Sequence, residues 1–549
     1  MSRTAVDAQD VRRNLASSRR CARTSARAMV AALLVLAAVA AFLGVWQATR
    51  GGDGVTRDSV DYLASAESII RGDGVTVPYP SYNEPPPPDF TGQRAEPLTH
   101  FSPLFPSMIA LGSIVSGRDG LDVARVLNAL AFSLIVSLTG LLVWRISRSW
   151  LWSAAASMAT LFSPNLILVS SMVWSDAWGT VLVMGCVLLL TEYLRTPRPL
   201  LLLAAALVAG AAIMDRYAAI ALIPVGLAAV LISKPRSRRA LDGGIFTVVA
   251  LLPVAAWSAR DLLQSGGLSG RSLGWHPPSA ATLTSAIETM FGYLSPVPWL
   301  SDAVVATLVA LAAAWLVPRG RRAWRGFHQG TVLIGIAIAA SVAVLVATAF
   351  FFDASLSVDY RILAPIYVLC VALIASHLGR WSAGWCLPLR LARWAPVLAL
   401  GGISLLWCLQ AIPTLSANFG YTSPAWERSP TLTALDRLPV RAVVVTNAPD
   451  FVWFRDGRDT IAEPRLVMAV SGLPNADYAA DMDQVEAAVS RQGVGWLVFW
   501  NGDARPYLPG SQQLEAALHL VLYQRTGDGE IFEILPSTPN CCSFEPVSP

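Results

Sequence analysis

One lysine, Lys234, occurs in the 549 residues of the chain, and charged residues of all kinds make up only 14% of it. A soluble globular chain carries about 25%. With 54% hydrophobic residues, most of this chain is suited to a solvent other than water. The formal net charge of +4 is too small to argue for a nucleic-acid partner. Positive charge carried almost wholly by arginine, together with abundant alanine, is the composition expected from a GC-rich bacterial genome. The seven cysteines show no C-x-x-C or Cys/His ligand spacing, so no metal framework is visible. Cys186, Cys370 and Cys408 sit inside apolar runs, where a small buried hydrophobe is the simplest reading. No cofactor is implied by the residues, and a divalent metal is left open. No small-x-small cleavage site follows the first apolar run, which is therefore read as a retained span and not a signal peptide.

What the chain has in quantity is long apolar runs. Crossing about 30 Å of hydrocarbon takes about 20 apolar residues in a helix. Runs at 29–46, 123–144, 151–170, 177–193, 200–214, 218–232, 245–259, 303–317, 331–351, 362–377 and 394–412 predict an α-helical polytopic membrane protein of about eleven transmembrane helices. The arginines orient it, because cytoplasmic loops carry the excess of Arg and Lys. The N-terminal tail, 1–28, is basic. Every second connection after it is basic again, as at Arg145 and Arg148, Arg195 and Arg198, Lys234 to Arg239, Arg319 to Arg325, and Arg380 to Arg393. The N-terminus is thus expected in the cytoplasm of a cell whose plasma (inner) membrane holds the protein. The transmembrane unit is expected over 29–415, with a long outer loop at 49–104. The other outer connections hold Asp176, Asp215, Asp353 and Asp359 together with Arg216, Arg260, Arg271 and Arg361. Ionisable residues at a membrane boundary are costly unless paired or hydrated, so their gathering on one side suits a polar cavity opening there.

In the first outer loop, residues 57–72 read as one amphipathic helix with apolar positions at Val60, Leu63, Ala66 and Ile70 and a stop at Gly72. Asp58 and Asp61 open it. A purely structural role is available to both, Asp58 as N-cap and Asp61 as a favourable charge in the first turn. Glu84 and four prolines then form an extended spacer, followed by His100-Phe101-Ser102-Pro103-Leu104-Phe105-Pro106.

Asp58-x-x-x-Tyr62, Gly72-x-Gly74 and the Ser-Pro-Leu-Phe-Pro run resemble the first outer loop of the C-type (GT-C) membrane glycosyltransferases, a group that includes protein O-mannosyltransferases and lipid A aminoarabinose transferases. Where that family usually has Asp-Glu, this chain has Asp58-Ser59. Other matches follow in order: Ser175-Asp176 for Ser-Glu, Met214-Asp215-Arg216-Tyr217 for Thr-Arg-Tyr, and Trp257 to Arg260 with Gly267 and Gly270-Arg271 for a Trp-x-x-Arg-Asn…Gly…Gly-x-Arg loop. Asp359-Tyr360-Arg361 with Pro365 resembles a segment before a late span, and Thr446 to Asp450 with Gly457-Arg458 resembles the start of an outer domain.

The resemblance implies an inverting transfer of a sugar from a polyprenyl-phosphate donor to a hydroxyl acceptor on protein, lipid or polysaccharide. Asp58 would be the base, with Asp61 able to stand in for the missing glutamate and Asp176 as a second acid. Arg216, Arg271 and Arg361, backed by Arg260, would hold the donor phosphate, since a guanidinium fork grips phosphate oxygens and stays charged. Tyr62, His100 and Tyr217 would contact donor or acceptor, and membrane lipid surrounds the rest. Each has a plainer alternative. The arginines can snorkel or pair locally, as Asp215 with Arg216 and Asp359 with Arg361; Asp176 can cap a helix; His100 can be an interfacial hydrogen-bonder. Two other functions compete, a lipid-linked-sugar flippase and a non-catalytic envelope scaffold of the same fold. Inverted repeats and midplane charges would mark the first, and none is seen in the sequence.

From about Tyr421 the composition turns mixed and polar. A strand at 441–446, a helix at 483–492, a strand at 495–500, a helix at 512–519 and a turn at Gly527-Asp528-Gly529 into a strand at 531–535 predict a small α/β domain over 420–549, outside the cytoplasm.

Overall fold

In a computed structural model the chain is described over residues 3–82, 96–233, 236–265, 274–275, 277–293, 328–352, 358–381, positions 402, 405–406 and 408–410, and 419–535 apart from 441, 469–471 and 504, with side chains from residue 26 onward except at 236, 265, 281, 283, 291, 292, 381, 492 and 516. The expected spans at 303–317 and 394–412 fall outside or largely outside these residues.

The protein is a polytopic helical membrane protein. Its helices are α1 (Arg3–Ala48), α2 (Arg57–Arg71), α3 (Leu104–Ser116), α4 (Gly120–Ser147), α5 (Trp150–Leu161), α6 (Pro164–Ser170), α7 (Asp176–Arg195), α8 (Pro199–Asp215), α9 (Leu222–Ile232), α10 (Arg239–Ser265), α11 (Ala280–Gly292), α12 (Gln329–Phe351) and α13 (Tyr360–Trp381). Among the described residues six helices are long and apolar enough to cross a membrane, or seven if the bent pair α5–α6 is one span. Three further apolar helices, Leu104–Ser116, Pro199–Asp215 and Tyr217–Ile232, are shorter. The run at 151–170 is therefore not one straight helix. It bends by 61° between Leu161 and Pro164, because a proline cannot donate into the preceding turn and instead begins a new helix.

Helix α4 runs through the middle of the bundle, with Phe132, Ile135, Val136, Leu142 and Val143 buried. Lipid is as apolar as these side chains, so close packing and hydrogen bonds must hold the helices together. Ser153 Oγ on α5 donates to the Gly140 carbonyl on α4 at 2.7 Å, and Ser157 Oγ donates to Val136 O at 3.1 Å. Leu36, Leu200, Leu207, Leu231, Val248 and Leu252 are exposed on the outer helix faces, where hydrocarbon would cover them.

Residues 443–534 build a five-stranded sheet from β3 (Val443–Thr446), β4 (Ile461–Ala462), β5 (Gly495–Trp500), β6 (Leu520–Arg525) and β7 (Gly529–Ile534), in the order β4-β3-β5-β7-β6. The short pair β1 (Thr76–Val77) and β2 (Glu96–Pro97) belongs to the first loop. β3 pairs in parallel with β4 and β5, whereas β7 is antiparallel to β5 and β6. Helices α14 (Pro449–Asp456), α15 (Tyr478–Gln492) and α16 (Ser511–Ala517) connect the strands. Strand alternation sends Val443, Val445, Leu497 and Phe499 to one face, against Met482, Val485 and Val489 of α15. Val444, Trp496, Val498 and Trp500 face the other way, into a core that also contains Val60, Tyr62, Tyr79 and Phe105. The sheet and the first loop thus share one apolar interior.

Segment 53–56 leads into α2 and is clamped from both sides. Gly54 bridges Met172 and Val55 bridges Gly420, with Tyr421 N–H donating to Val55 O at 2.6 Å and Thr422 Oγ1 to Asp53 O at 2.6 Å. Gly420 has φ +75°, and a Cβ there would overlap the Val55 carbonyl. Gly420→Ala is expected to destabilise the fold by about 1–3 kcal/mol from backbone strain alone, read as a lowered thermal midpoint in detergent. Gly54→Ala meets only the flexible Met172 thioether and should cost less.

Candidate functional site

Thr56 and Ser59 close the N-terminus of α2. Thr56 N–H donates to Ser59 Oγ at 3.0 Å, and at the other end Gly72, φ +88°, terminates the helix. Capping therefore falls to these two residues and not to Asp58. Ser59, standing where the resembled family has glutamate, completes the cap. Asp58 is left free to project toward the helical bundle.

There it meets a chain of alternating charges. Arg361, in the first turn of α13, donates from Nη1 to Asp58 Oδ2 at 2.7 Å. Its Nε and Nη2 both reach Asp176 Oδ2 at 3.3 Å. Arg216, just after α8, places Nη1 2.5 Å from Asp176 Oδ1. Asp176 is the first residue of α7, and its carboxylate serves the two arginines instead of capping that helix. The Arg361 guanidinium lies 4.1 Å from the Trp174 ring centre, and Trp174 Nε1 donates to Thr56 Oγ1 at 2.8 Å. One indole thus supports the arginine and holds the cap beside Asp58. Tyr62 OH lies 3.2 Å from Ser175 Oγ, and its ring packs on Phe101 and Phe105.

Accessibility separates these groups. The side chains of Asp58, Arg216 and Arg361 are 25%, 28% and 16% exposed, whereas Asp176 is 1% exposed. Asp176 is a buried counter-ion, and the other three can meet a ligand. Burial works to push the Asp58 carboxyl up, but the Arg361 guanidinium, with His100 and Arg216 adding, holds it below the ordinary carboxylate value.

The local pairs considered from sequence take another form. Arg216 turns to Asp176, and Asp359 accepts the backbone N–H groups of Arg361 and Ile362 at 2.9 and 3.3 Å, capping α13. Asp215 is 2% exposed, and neither carboxylate oxygen has a hydrogen-bond partner among the described residues. A Cβ on Gly179 would stand 3.0 Å from its Oδ2 and 3.1 Å from Arg216 Cδ, so glycine there makes room for both side chains.

Other expected site residues are placed elsewhere. Asp61 is buried and accepts a hydrogen bond from Tyr79 OH. Arg260 stacks on Trp257 at 4.5 Å and donates to Val75 O at 2.8 Å and Leu98 O at 3.0 Å, tying α10 to the first loop. Tyr217 OH accepts from Trp257 Nε1 at 3.1 Å. His100 stands edge-on to Phe101, within electrostatic reach of Asp58. Arg271 lies outside the described residues. Trp174 was not anticipated, although its place immediately before Ser175-Asp176 is a readable signal. Among the described residues no three His, Cys, Asp or Glu side chains group as a metal ion would need.

With the geometry in view, the fold is that of the C-type membrane glycosyltransferases, as the resemblance in the sequence implied. It is similar to ArnT from Cupriavidus metallidurans bound to undecaprenyl phosphate, at 13% identity and a TM-score of 0.59 over 92% of this chain and 98% of that one. The apo state of the same protein gives 13% identity and a TM-score of 0.57 over 93% and 98% of the two chains. The arabinofuranosyltransferase AftD from Mycobacteria gives 14% identity and a TM-score of 0.52 over 92% of this chain but 40% of its own. No protein-family model and no curated protein sequence matches the chain.

The pH behaviour of the site is predictable in sign. Burial raises the Asp58 carboxyl, and Arg361 is the foremost of the charges that lower it, ahead of His100 and Arg216. Arg361→Gln leaves burial in command, so the carboxyl rises and any activity requiring its ionised form loses its acid side at higher pH. A pH–rate profile whose acid limb stays put in this variant would remove Arg361 as the controlling charge.

Proposed function

We propose that this protein is an inverting glycosyltransferase that moves a sugar from a polyprenyl phosphate to an acceptor hydroxyl on the outer face of the plasma membrane. The N-terminus would be cytoplasmic, and the transmembrane unit, 29–415, would have about eleven crossings. The 420–549 unit would lie outside. The observation that carries the reading is the run Asp58–Arg361–Asp176–Arg216, a carboxylate next to two partly open guanidinium groups at one end of an apolar bundle. That a protein of the same fold holds undecaprenyl phosphate supports a lipid phosphate as the donor's leaving group.

The chemistry follows from the charges. Arg361 and Arg216 bind the phosphate and offset the negative charge that grows on its bridging oxygen as the bond to the anomeric carbon breaks. The acceptor hydroxyl attacks that carbon from the opposite side, and its proton passes to Asp58. The new bond joins acceptor oxygen to sugar carbon, and polyprenyl phosphate departs. Arg361 is shared, because before donor arrives it is bonded to Asp58. A phosphate that draws Arg361 away leaves Asp58 without that partner at the moment a base is required.

The test is transfer by the purified full chain in liposomes, supplied with radiolabelled undecaprenyl-phosphate sugars and envelope extract. Labelled product should appear with one undecaprenyl phosphate released per sugar, and Arg216→Gln should raise the donor KM about tenfold or more. Transport of the labelled lipid across the bilayer without product would instead support the flippase reading.

A further inference from the structure

Open α/β sheets take their ligands at the carboxyl ends of parallel strands, where neighbouring connections leave in opposite directions. Here that mouth, at the ends of β3, β4 and β5, is occupied by the first loop. Tyr82 OH donates to Glu463 O at 3.2 Å and lies 3.3 Å from Thr446 O. Arg465 Nη2 donates to Ser81 O at 3.1 Å, and the Arg505 guanidinium is 4.5 Å from the Tyr82 ring centre.

At the same mouth lies a buried ion network. Arg505 Nη2 binds Asp450 Oδ1 at 2.7 Å and Asp503 Oδ2 at 2.6 Å, and these side chains are 2%, 6% and 6% exposed. Tyr421 OH donates to the other Asp450 oxygen at 2.7 Å. One guanidinium faces two carboxylates here, with Glu463 also buried within its electrostatic reach. Arg57 brings a second cation, donating from Nε to Asp503 Oδ1 at 3.1 Å and from Nη2 to the same oxygen. Arg57 is the first residue of α2, directly before Asp58. The start of α2 is therefore held by opposite charges on two sides, Arg57 by the sheet and Asp58 by Arg361.

We infer that Arg57 and Asp503 are positioning residues for sugar transfer, and that the 420–535 unit sets the place of Asp58 through them. The inference rests on Asp58 acting as the base. Without Arg57 the start of α2 loses its hold on the sheet, and the Asp58–Arg361 contact loosens. The Asp58 carboxyl then keeps its burial and the smaller pull of His100 and Arg216 but loses part of the Arg361 guanidinium that lowers it, so it titrates at higher pH.

The experiment compares wild type, Arg57→Gln and Arg57→Lys as full chains in nanodiscs. Transfer from undecaprenyl-phosphate sugar to envelope extract is followed against pH, and amide exchange in α2 is followed by mass spectrometry. In Arg57→Gln, kcat should fall about tenfold or more with little change in donor KM. The acid limb of its kcat/KM, which reports the donor-free enzyme in which Arg361 is bonded to Asp58, should move to higher pH, and the amides of 58–66 should exchange about tenfold faster while those of α4 and α7 do not change. Arg57→Lys should restore most of each. An acid limb that stays in place overturns the inference whatever the loss of rate, because a merely structural role lowers the amount of active protein without moving it. If wild type transfers nothing, the proposed function falls; unchanged exchange in α2 of Arg57→Gln then overturns the positioning role by itself.

Discussion

Asparagine at position 58 is expected to lower the transfer rate by about 10²–10⁴-fold, the range a positioned general base contributes, and to leave the helix around it intact. The second half of that expectation comes from Thr56 and Ser59, which close the start of α2 and do not depend on the carboxylate. An asparagine side chain is the same size and still offers Arg361 an oxygen, but its amide cannot take a proton from an attacking hydroxyl. In the proposed mechanism donor binding rests with Arg216 and Arg361, so the donor KM should change little. The measurement is single-turnover transfer in liposomes, with circular dichroism and size-exclusion profiles to compare folding. Equal rates for the two proteins would remove Asp58 as the base, and a misfolded variant would return it to a structural role.

The largest expected effect on stability lies outside the bundle. Arg505→Leu removes the central cation of the buried network and leaves Asp450 and Asp503, among the described residues, with Arg57 and Tyr421 to oppose their charge. Breaking a buried pair from one side costs about 3–5 kcal/mol, a large fraction of the stability of a small unit. Thermal unfolding in detergent, followed by proteolysis of the 420–535 region, should show that region opening at lower temperature while the membrane helices persist. An unchanged midpoint would mean that water reaches the carboxylates and that the network contributes little.

Asp176, Arg216 and Arg361 could be picked out from sequence because each is an ionisable residue at the end of an apolar run, where it must have a partner. The partners themselves could not be read. Asp58 and Arg361 are far apart in the chain, and nearness in sequence pointed instead to Asp215 with Arg216 and Asp359 with Arg361. Asp61 shares a helix with Asp58, yet Tyr79 takes it, an outcome set by packing across the loop. The bend in the 151–170 run was available in Ser163-Pro164, but the strength of the apolar signal on both sides hid it. In the sheet, 495–500 was plain because it is continuous and apolar. β6 was missed because Val521, Leu522 and Tyr523 lie exposed on an edge strand, so no alternation marks it, and β4 has only two residues. The role of Arg57 was also hidden, since it looked like an ordinary first-turn arginine until the sheet was placed against it.

The clamp on segment 53–56 has a consequence for how the protein is made. One of its jaws, Met172, emerges early, but the other, Gly420 and Tyr421, follows only after most of the chain has left the ribosome. Until then the helix carrying the candidate base has half its support, and pairings so distant along the chain form late and slowly. A nascent chain that has not yet exposed Tyr421 would thus hold α2 by one jaw alone, and any activity that needs Asp58 in place would wait for the sheet-forming segment to follow the helices out.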